Sequence, residues 1–179
     1  MAHTQFQPFG NAGLLGVLTT SETITSADLT AAAALVSGPT VAASSVAVGT
    51  IIKIEGRGTF RTNSTAQTLE CAAFVGGTNI ATTGAKTLQD ISTLELFQYE
   101  ATFRYMTVGA TGTVLTSLWV RSILETSGTA NWAGQVLDTT ATVDTTAANV
   151  HQVGFAYGAV HASNTLTVYI QNSFQYGLA

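Results

Sequence analysis

Ile51-Ile52-Lys53-Ile54-Glu55-Gly56-Arg57-Gly58-Thr59-Phe60-Arg61 is the stretch that decides the fold. Its period is two residues. Ile52, Ile54, Gly56, Gly58 and Phe60 fall on one side, and Lys53, Glu55, Arg57, Thr59 and Arg61 on the other. Successive side chains of an extended chain point to opposite faces, so this is a β-strand with one dry and one wet face. The wet face carries Lys53, Arg57 and Arg61, half of the chain's six basic residues, alternating with Glu55. It reads as a solvated surface with cross-strand charge pairs rather than as a patch for a charged ligand.

The alternation continues downstream. Leu69, Cys71, Ala73 and Val75 form the next dry face, Gly76-Gly77 ends it, and Ile80 to Gly84 reads as a short strand after a hairpin. Between Leu94 and Val108, Phe97, Tyr99, Ala101, Phe103 and Tyr105 share one face, and Glu100, Thr102 and Arg104 share the other. Gly109-Ala110-Thr111-Gly112 is a tight connection of hairpin type. Val114 to Leu124 is apolar on both faces, with Leu115, Trp119 and Ile123 on one and Val114, Leu118 and Val120 on the other. A strand dry on both faces is either central in a sandwich or buried by another subunit. Ser127 to Asn149, rich in Thr and Ala, reads as a loop with a small internal echo, Asp138 to Thr142 against Asp144 to Ala148. Two strands close the chain: Val153, Phe155 and Tyr157 share a face, then Leu166, Val168 and Ile170, with a turn at His161 to Asn164. Phe174, Tyr176 and Leu178 keep the alternation.

Upstream the pattern fails. Residues 1–20 mix Gln, Pro, Gly and Asn with Phe6, Phe9, Leu14 and Leu15 and follow neither a strand nor a helix period. They read as an extended N-terminal arm that docks on a neighbouring subunit or as a frayed terminus. In residues 21–49, Ser26 before Ala27-Asp28-Leu29 and Ala31 to Leu35 could cap a short helix, whereas the Thr and Val content argues for strand. Gly38-Pro39 is a turn in either case. Eight or nine strands with turn residues between them indicate an all-β chain: a jelly-roll-like antiparallel β-sandwich forming a single domain over residues 21–179, preceded by the arm.

Composition narrows the function. Apolar residues make up 46% of the 179 residues and charged residues only 9%, against about 25% charged in an ordinary soluble domain. A surface of Thr, Ser, Asn, Gln, Ala and Gly repels its neighbours weakly, which favours association between subunits. The net charge of −4 and pI of about 5.1 attract neither nucleic acid nor an anionic membrane. No apolar run is long enough to span a bilayer, and Leu14-Leu15-Gly16-Val17-Leu18 is too short for a signal-peptide core. Cys71 is the single cysteine, so no intrachain disulfide can form, and its alternating context suits a small buried hydrophobe.

The candidate catalytic and metal-binding residues do not form a set that holds together. The three histidines are His3 in the arm, His151 before a strand and His161 in a turn, each expected at the surface. His151 and His161, ten residues apart, could approach across a hairpin, but two imidazoles without a carboxylate or cysteine cluster make a poor metal site. Glu95 and Glu100 lie on opposite faces of one strand, which rules them out as a hydrolytic pair. Asp138 and Asp144 suit turns in which Asp bonds the local backbone. Gly56-Arg57-Gly58 lies within a strand, where glycine marks a bulge or a close backbone approach rather than a phosphate loop. Asn63-Ser64-Thr65 matches a glycosylation acceptor by chance as readily as by design. The stripe Phe97, Tyr99, Phe103, Tyr105 is core at strand spacing, and without adjacent basic residues it does not suit single-stranded nucleic acid. No catalytic residue, cofactor or metal is expected, and the chain is expected not to be an enzyme.

Three segments carry a resemblance: Val46 to Ile54 with Gly58-Thr59-Phe60, Val75 to Gly84, and Val143 to Asn149 with Ala162 to Val168. They resemble recurrent turn-and-strand patterns of virion structural proteins of tailed phages, over about residues 40–172. The resemblance implies a jelly-roll homotrimer that sits on the capsid surface as a decoration (cement) protein or at a fibre or spike tip, and it supplies no catalytic residues. Residues 1–40 match no pattern of that group. On this reading the partners are further copies of the chain and the major capsid protein, with no nucleic acid or membrane. Phe6, Phe9, Leu14 and Leu15 are the candidate capsid contacts of the arm, and Trp119, with Leu115 and Ile123, the candidate trimer contact. The alternative is a receptor- or glycan-binding head, for which Trp132 in the Ser127–Asn149 loop is the candidate.

Overall fold

The computed structural model describes residues 13–18, 20–25, 27, 28, 31, 34–62, 67–88, 94–122 and 133–177. Phe6, Phe9, Ile123 and Trp132 lie outside the described residues. The strands, in chain order, are β1 (Gly13–Val17), β2 (Glu22–Ile24), β3 (Leu35–Val36), β4 (Thr40–Val41), β5 (Ile51–Arg61), β6 (Gln67–Val75), β7 (Thr78–Thr82), β8 (Lys86–Leu88), β9 (Glu95–Thr107), β10 (Gly112–Ser122), β11 (Ala133–Val143), β12 (Asn149–Tyr157) and β13 (Thr165–Tyr176).

They form an antiparallel β-sandwich. A seven-stranded sheet runs β1-β13-β5-β9-β10-β11, with β2 also on β13. A six-stranded sheet runs β3-β12-β6-β7, with β4 on β12 and β8 on β6. The outer turn of the wrap is jelly-roll-like, since β5 pairs β13 in one sheet while their chain neighbours β6 and β12 pair in the other. The interior then departs from a jelly roll: β9, β10 and β11 are a meander within the larger sheet.

The inward faces are the dry faces of the sequence. Ile52, Ile54 and Phe60 of β5 and Phe97, Tyr99, Ala101, Phe103 and Tyr105 of β9 are fully buried. They meet Val153, Phe155 and Tyr157 of β12 across the core, with Phe155 edge-on to Phe97 at 5.5 Å and to Tyr99 at 5.2 Å between ring centroids. Edge-to-face rings bring the positive rim of one against the negative face of the other, which adds to the gain from burial. Cys71 is buried, as its context suggested, and burial pushes its thiol pKa well up. Gly58 marks a close approach: a Cβ there would collide with the carbonyl oxygen of Thr167 on β13.

Several sequence expectations need correction. The Ser127–Asn149 stretch is not a loop throughout, because β11 occupies Ala133–Val143 and pairs with β10 along its length. Its Thr-rich sequence hides the strand because an edge strand leaves most of its side chains in water (Leu137 is 64% exposed). In residues 21–49 the described residues form the short strands β2, β3 and β4 and turns, and half of the candidate helix from Ser26 to Leu35 lies outside the described residues. Ile170 does not share the inward face of Leu166 and Val168. A bulge between Val168 and Ile170 slips the alternation, so Gln171 and Ser173 turn inward and Ile170 outward. His151 is not at the surface: it is fully buried between the sheets, with Nε2 2.7 Å from the Tyr105 hydroxyl and its ring edge-on to Phe103. His161 is exposed beyond the other end of β12, so the two imidazoles do not approach. Asp144 does act as a local turn former, its Oδ1 accepting from the N–H of Thr146 at 2.9 Å and from its hydroxyl at 2.6 Å.

Candidate binding face

The two sheets differ on their outer sides. On the smaller sheet the outward residues Ala72 and Phe74 of β6 and Gly154 and Ala156 of β12 are buried. The chain itself covers them: a Cβ on Gly154 would meet the Leu35 side chain at 2.9 Å and the Ala34 carbonyl at 3.4 Å. On the larger sheet the outward residues of β5, β9 and β10 stay half-buried or exposed, so no described segment covers them.

The strand register sets the outward side chains in rows. Asn172, Glu55, Glu100, Trp119 and Gln135 stand side by side across β13, β5, β9, β10 and β11. The next row toward one end is Ile170, Arg57, Gln98, Arg121 and Ala133. Toward the other end come Phe174, Lys53, Thr102 and Ser117, and then Tyr176, Ile51, Arg104, Leu115 and Thr140.

The first two rows enclose a groove of about 330 Å3, with Trp119 at one side and Asn172 and Ile170 at the other. Trp119 also lines an adjoining groove of about 420 Å3 with Arg121, Ala133, Gly134 and Gln135. The floor is electrostatically ordered. Glu55 and Glu100 face each other directly, an arrangement that repels. Lys53 resolves it by pairing with Glu55 at 2.9 Å and Glu100 at 3.0 Å. Its hydrogen bond to Glu55, opposed by burial and reinforced by Glu100, raises the lysine pKa. The Arg121 guanidinium lies 5.4 Å from the Trp119 ring centroid, and Gln98 turns its side-chain carbonyl to the same guanidinium. Beneath the floor the buried Tyr99 ring fills the space a Cβ on Gly56 would need, and its hydroxyl donates to Gln171 Oε1 at 2.6 Å.

Leu14 lies on the edge strand β1 and is 60% exposed, whereas Leu15 packs against the core. The second half of the expected arm is thus an edge of the larger sheet, with Gly13–Val17 paired to β13. Leu115 and Trp119 are half-buried on the uncovered face, with the row of Ser117 between them. Glu95 and Glu100 point to opposite sides, Glu95 being fully buried. The pair that the structure does bring together, Glu55 with Glu100, is absent from any reading of single strands. Only the register between β5 and β9 makes it visible, and the facing positions of Asn172 and Trp119 are hidden for the same reason. The described residues contain no group of three or more His, Cys, Asp or Glu placed to hold a metal ion. They also contain no helix long and apolar enough to cross a membrane.

No protein-family model and no curated protein matches the chain. Among solved structures it is similar to the CBM2 module of the evolved Dit of Lactobacillus casei BL23 phage J-1, at 8% identity over 94% of this chain and 97% of that one, with a TM-score of 0.43. It is also similar to a structure of infectious bursal disease virus Gx strain, at 14% identity over 96% of this chain and 43% of that one, with a TM-score of 0.26. Likenesses so distant leave the chemistry of the face to its own residues.

Proposed function

We propose that the chain is a non-enzymatic virion structural protein: a homotrimeric decoration protein of the capsid surface that holds a phage head together by interfacial packing. The observation that carries this reading is the apolar end of the uncovered face. There Ile51, Leu115, Phe174 and Tyr176 lie half-buried in neighbouring rows around the exposed Arg104, with Val48 and Met106 66% and 41% exposed. Each such side chain placed in an interface contributes up to roughly 1.5–3 kcal/mol before ordering costs. The surface, poor in charge, does not oppose association. Gly13, where the described chain starts, pairs with Gln175 at this same end.

The test has two parts. Light scattering of the full chain is expected to give the mass of a trimer, and Leu115→Glu is expected to give the monomer; a monomeric parent protein would overturn the trimer. Deleting residues 2–12, which spares β1, is expected to leave the trimer folded and abolish its co-sedimentation with empty heads. Full occupancy by the truncated protein would overturn the role of the arm. The reading as a receptor- or glycan-binding head is favoured by one observation, the polar groove beside Trp119.

A further inference from the structure

We propose that the groove between Trp119 and Asn172 is a binding site for a neutral pyranose oligosaccharide. The proposal does not rest on the trimer: it gives Trp119, a candidate trimer contact from the sequence, to the groove and leaves the row of Ile51 and Leu115 to the trimer, and it applies equally to a decoration protein or a receptor-binding head.

A pyranose ring has an apolar C–H face and a belt of hydroxyls. The C–H face needs a flat apolar partner, and the half-buried indole of Trp119 supplies one at the groove wall. Each hydroxyl both donates and accepts, so the belt needs acceptors and donors together. Glu55 and Glu100 offer carboxylate oxygens, Arg57 offers N–H groups, and the amide of Asn172 offers both. The groove's volume of about 330 Å3 falls at the small end of the ~300–1,000 Å3 typical of ligand sites.

The site is held before any ligand arrives. Lys53 ties both carboxylates in place, and Arg121 fixes the indole from the rim while bonded to Gln98. Side chains already ordered lose little entropy on binding, which favours affinity. Charge selects the ligand class. Lys53 and Arg57 offset Glu55 and Glu100, so the floor is neutral in sum and offers an anionic sugar no net attraction, while Arg121 at the rim is engaged with Trp119. Two further features favour an oligosaccharide over a single unit. The groove is open, and Trp119 also borders the second groove along Arg121 and Gln135. A chain crossing the indole would contact both.

The experiment is a fluorescence titration of the full chain carrying Trp132→Phe, which leaves Trp119 as the one tryptophan reporter. The probes are glucose, galactose, mannose and N-acetylglucosamine, their neutral hexasaccharides, and a hyaluronan hexasaccharide as the anionic comparison. At least one neutral hexasaccharide is expected to give a saturable change and to bind more tightly than its monosaccharide. For that sugar, calorimetry is expected to show Trp119→Ala weakening binding about tenfold or more, the size of one large apolar contact. Trp119→Tyr should retain most of the affinity, while Glu100→Gln and Asn172→Ala should each lose roughly threefold to tenfold, as for one hydrogen bond. The half-exposed position of Trp119 lets these variants fold, which circular dichroism checks. The proposal falls if no neutral sugar binds, if hyaluronan binds more tightly than every neutral probe, or if Trp119→Ala binds as well as the parent.

Discussion

The outer side of the six-stranded sheet is filled and that of the seven-stranded sheet is bare. In β6 and β12 the last five residues are buried on both sides, and at Gly154 the Leu35 side chain and the Phe74 ring fill the outer side. In β9 and β10 buried residues alternate with half-buried or exposed ones almost to the strand ends. One face thus contributes to stability within the chain. The other leaves the Trp119 ring, the facing carboxylates of Glu55 and Glu100 and the side chains of Ile51 and Leu115 in contact with solvent. On the proposed function, stability and recognition are separated onto opposite sides of one sandwich, so substitutions on the two faces should have different consequences.

The sharpest contrast is between Phe74 and Trp119, both large aromatics at outward positions. Phe74 is 1% exposed, its ring lying against Gly154. Phe74→Ala is expected to cost about 3–5 kcal/mol in urea unfolding, through lost burial and the cavity left behind. Trp119→Ala is expected to cost only about 1 kcal/mol, since the indole already meets solvent and its removal leaves no closed cavity. Equal losses at the two positions would erase the distinction between the faces.

The same contrast explains what could be read from the sequence. Alternation is visible where one side of a strand is wet, and β5 and β9 have such a side: Lys53, Glu55 and Arg57 against Ile52 and Ile54, and Glu100 and Arg104 against Tyr99 and Phe103. It fades where both sides are dry, so Ala72 and Phe74 gave no sign of a second buried face. Residues 21–49 are ambiguous because their strands are only two or three residues long, too short to show a period, and pair at β12 and β13. β11 was missed for the opposite reason: as an edge strand it is mostly wet on both sides, and Thr, Ala and Asp read as loop. Within the candidate site Trp119 was visible as a large residue on an unexplained apolar face. Its neighbours Glu55, Glu100 and Asn172 were not, because they are brought together by register across three strands. A bulge at Val168–Ile170, invisible in the sequence, decides which side of β13 Asn172 occupies.

The interior also sets the response to acid. His151 is buried between Phe103 and Tyr105, and burial pushes its pKa down to about 4, from an ordinary 6.5. The folded protein therefore keeps the imidazole neutral where the unfolded chain protonates it. The stability from this group is complete above pH about 6.5 and declines as the pH falls toward 4, by up to about 3 kcal/mol in all. His151→Gln keeps an acceptor for the Tyr105 hydroxyl and cannot titrate in this range. Urea midpoints for the parent should fall between pH about 6.5 and 4 more steeply than those of the variant by that amount. Parallel curves would place the acid sensitivity elsewhere, on the exposed carboxylates.

The smallest expected effect lies on the bare face and tests whether its charges are ordered rather than merely solvated. Lys53 bonds both Glu55 and Glu100, which otherwise stand directly opposite each other on β5 and β9. Lys53→Met keeps most of the aliphatic stem and removes the ammonium, so two like charges are left facing. The expected loss is about 1 kcal/mol at low salt, the sum of a weak, partly exposed ion pair and a cross-strand repulsion. It should shrink between about 0.01 M and about 1 M salt, as the Debye length falls from ~30 Å to ~3 Å. Adding Glu100→Gln should restore most of the loss, because only one carboxylate then remains in the pair of positions. A loss that ignores salt and survives the second substitution would mean that Lys53 acts through the packing of its stem, and that the carboxylates of the groove are not held in place by it.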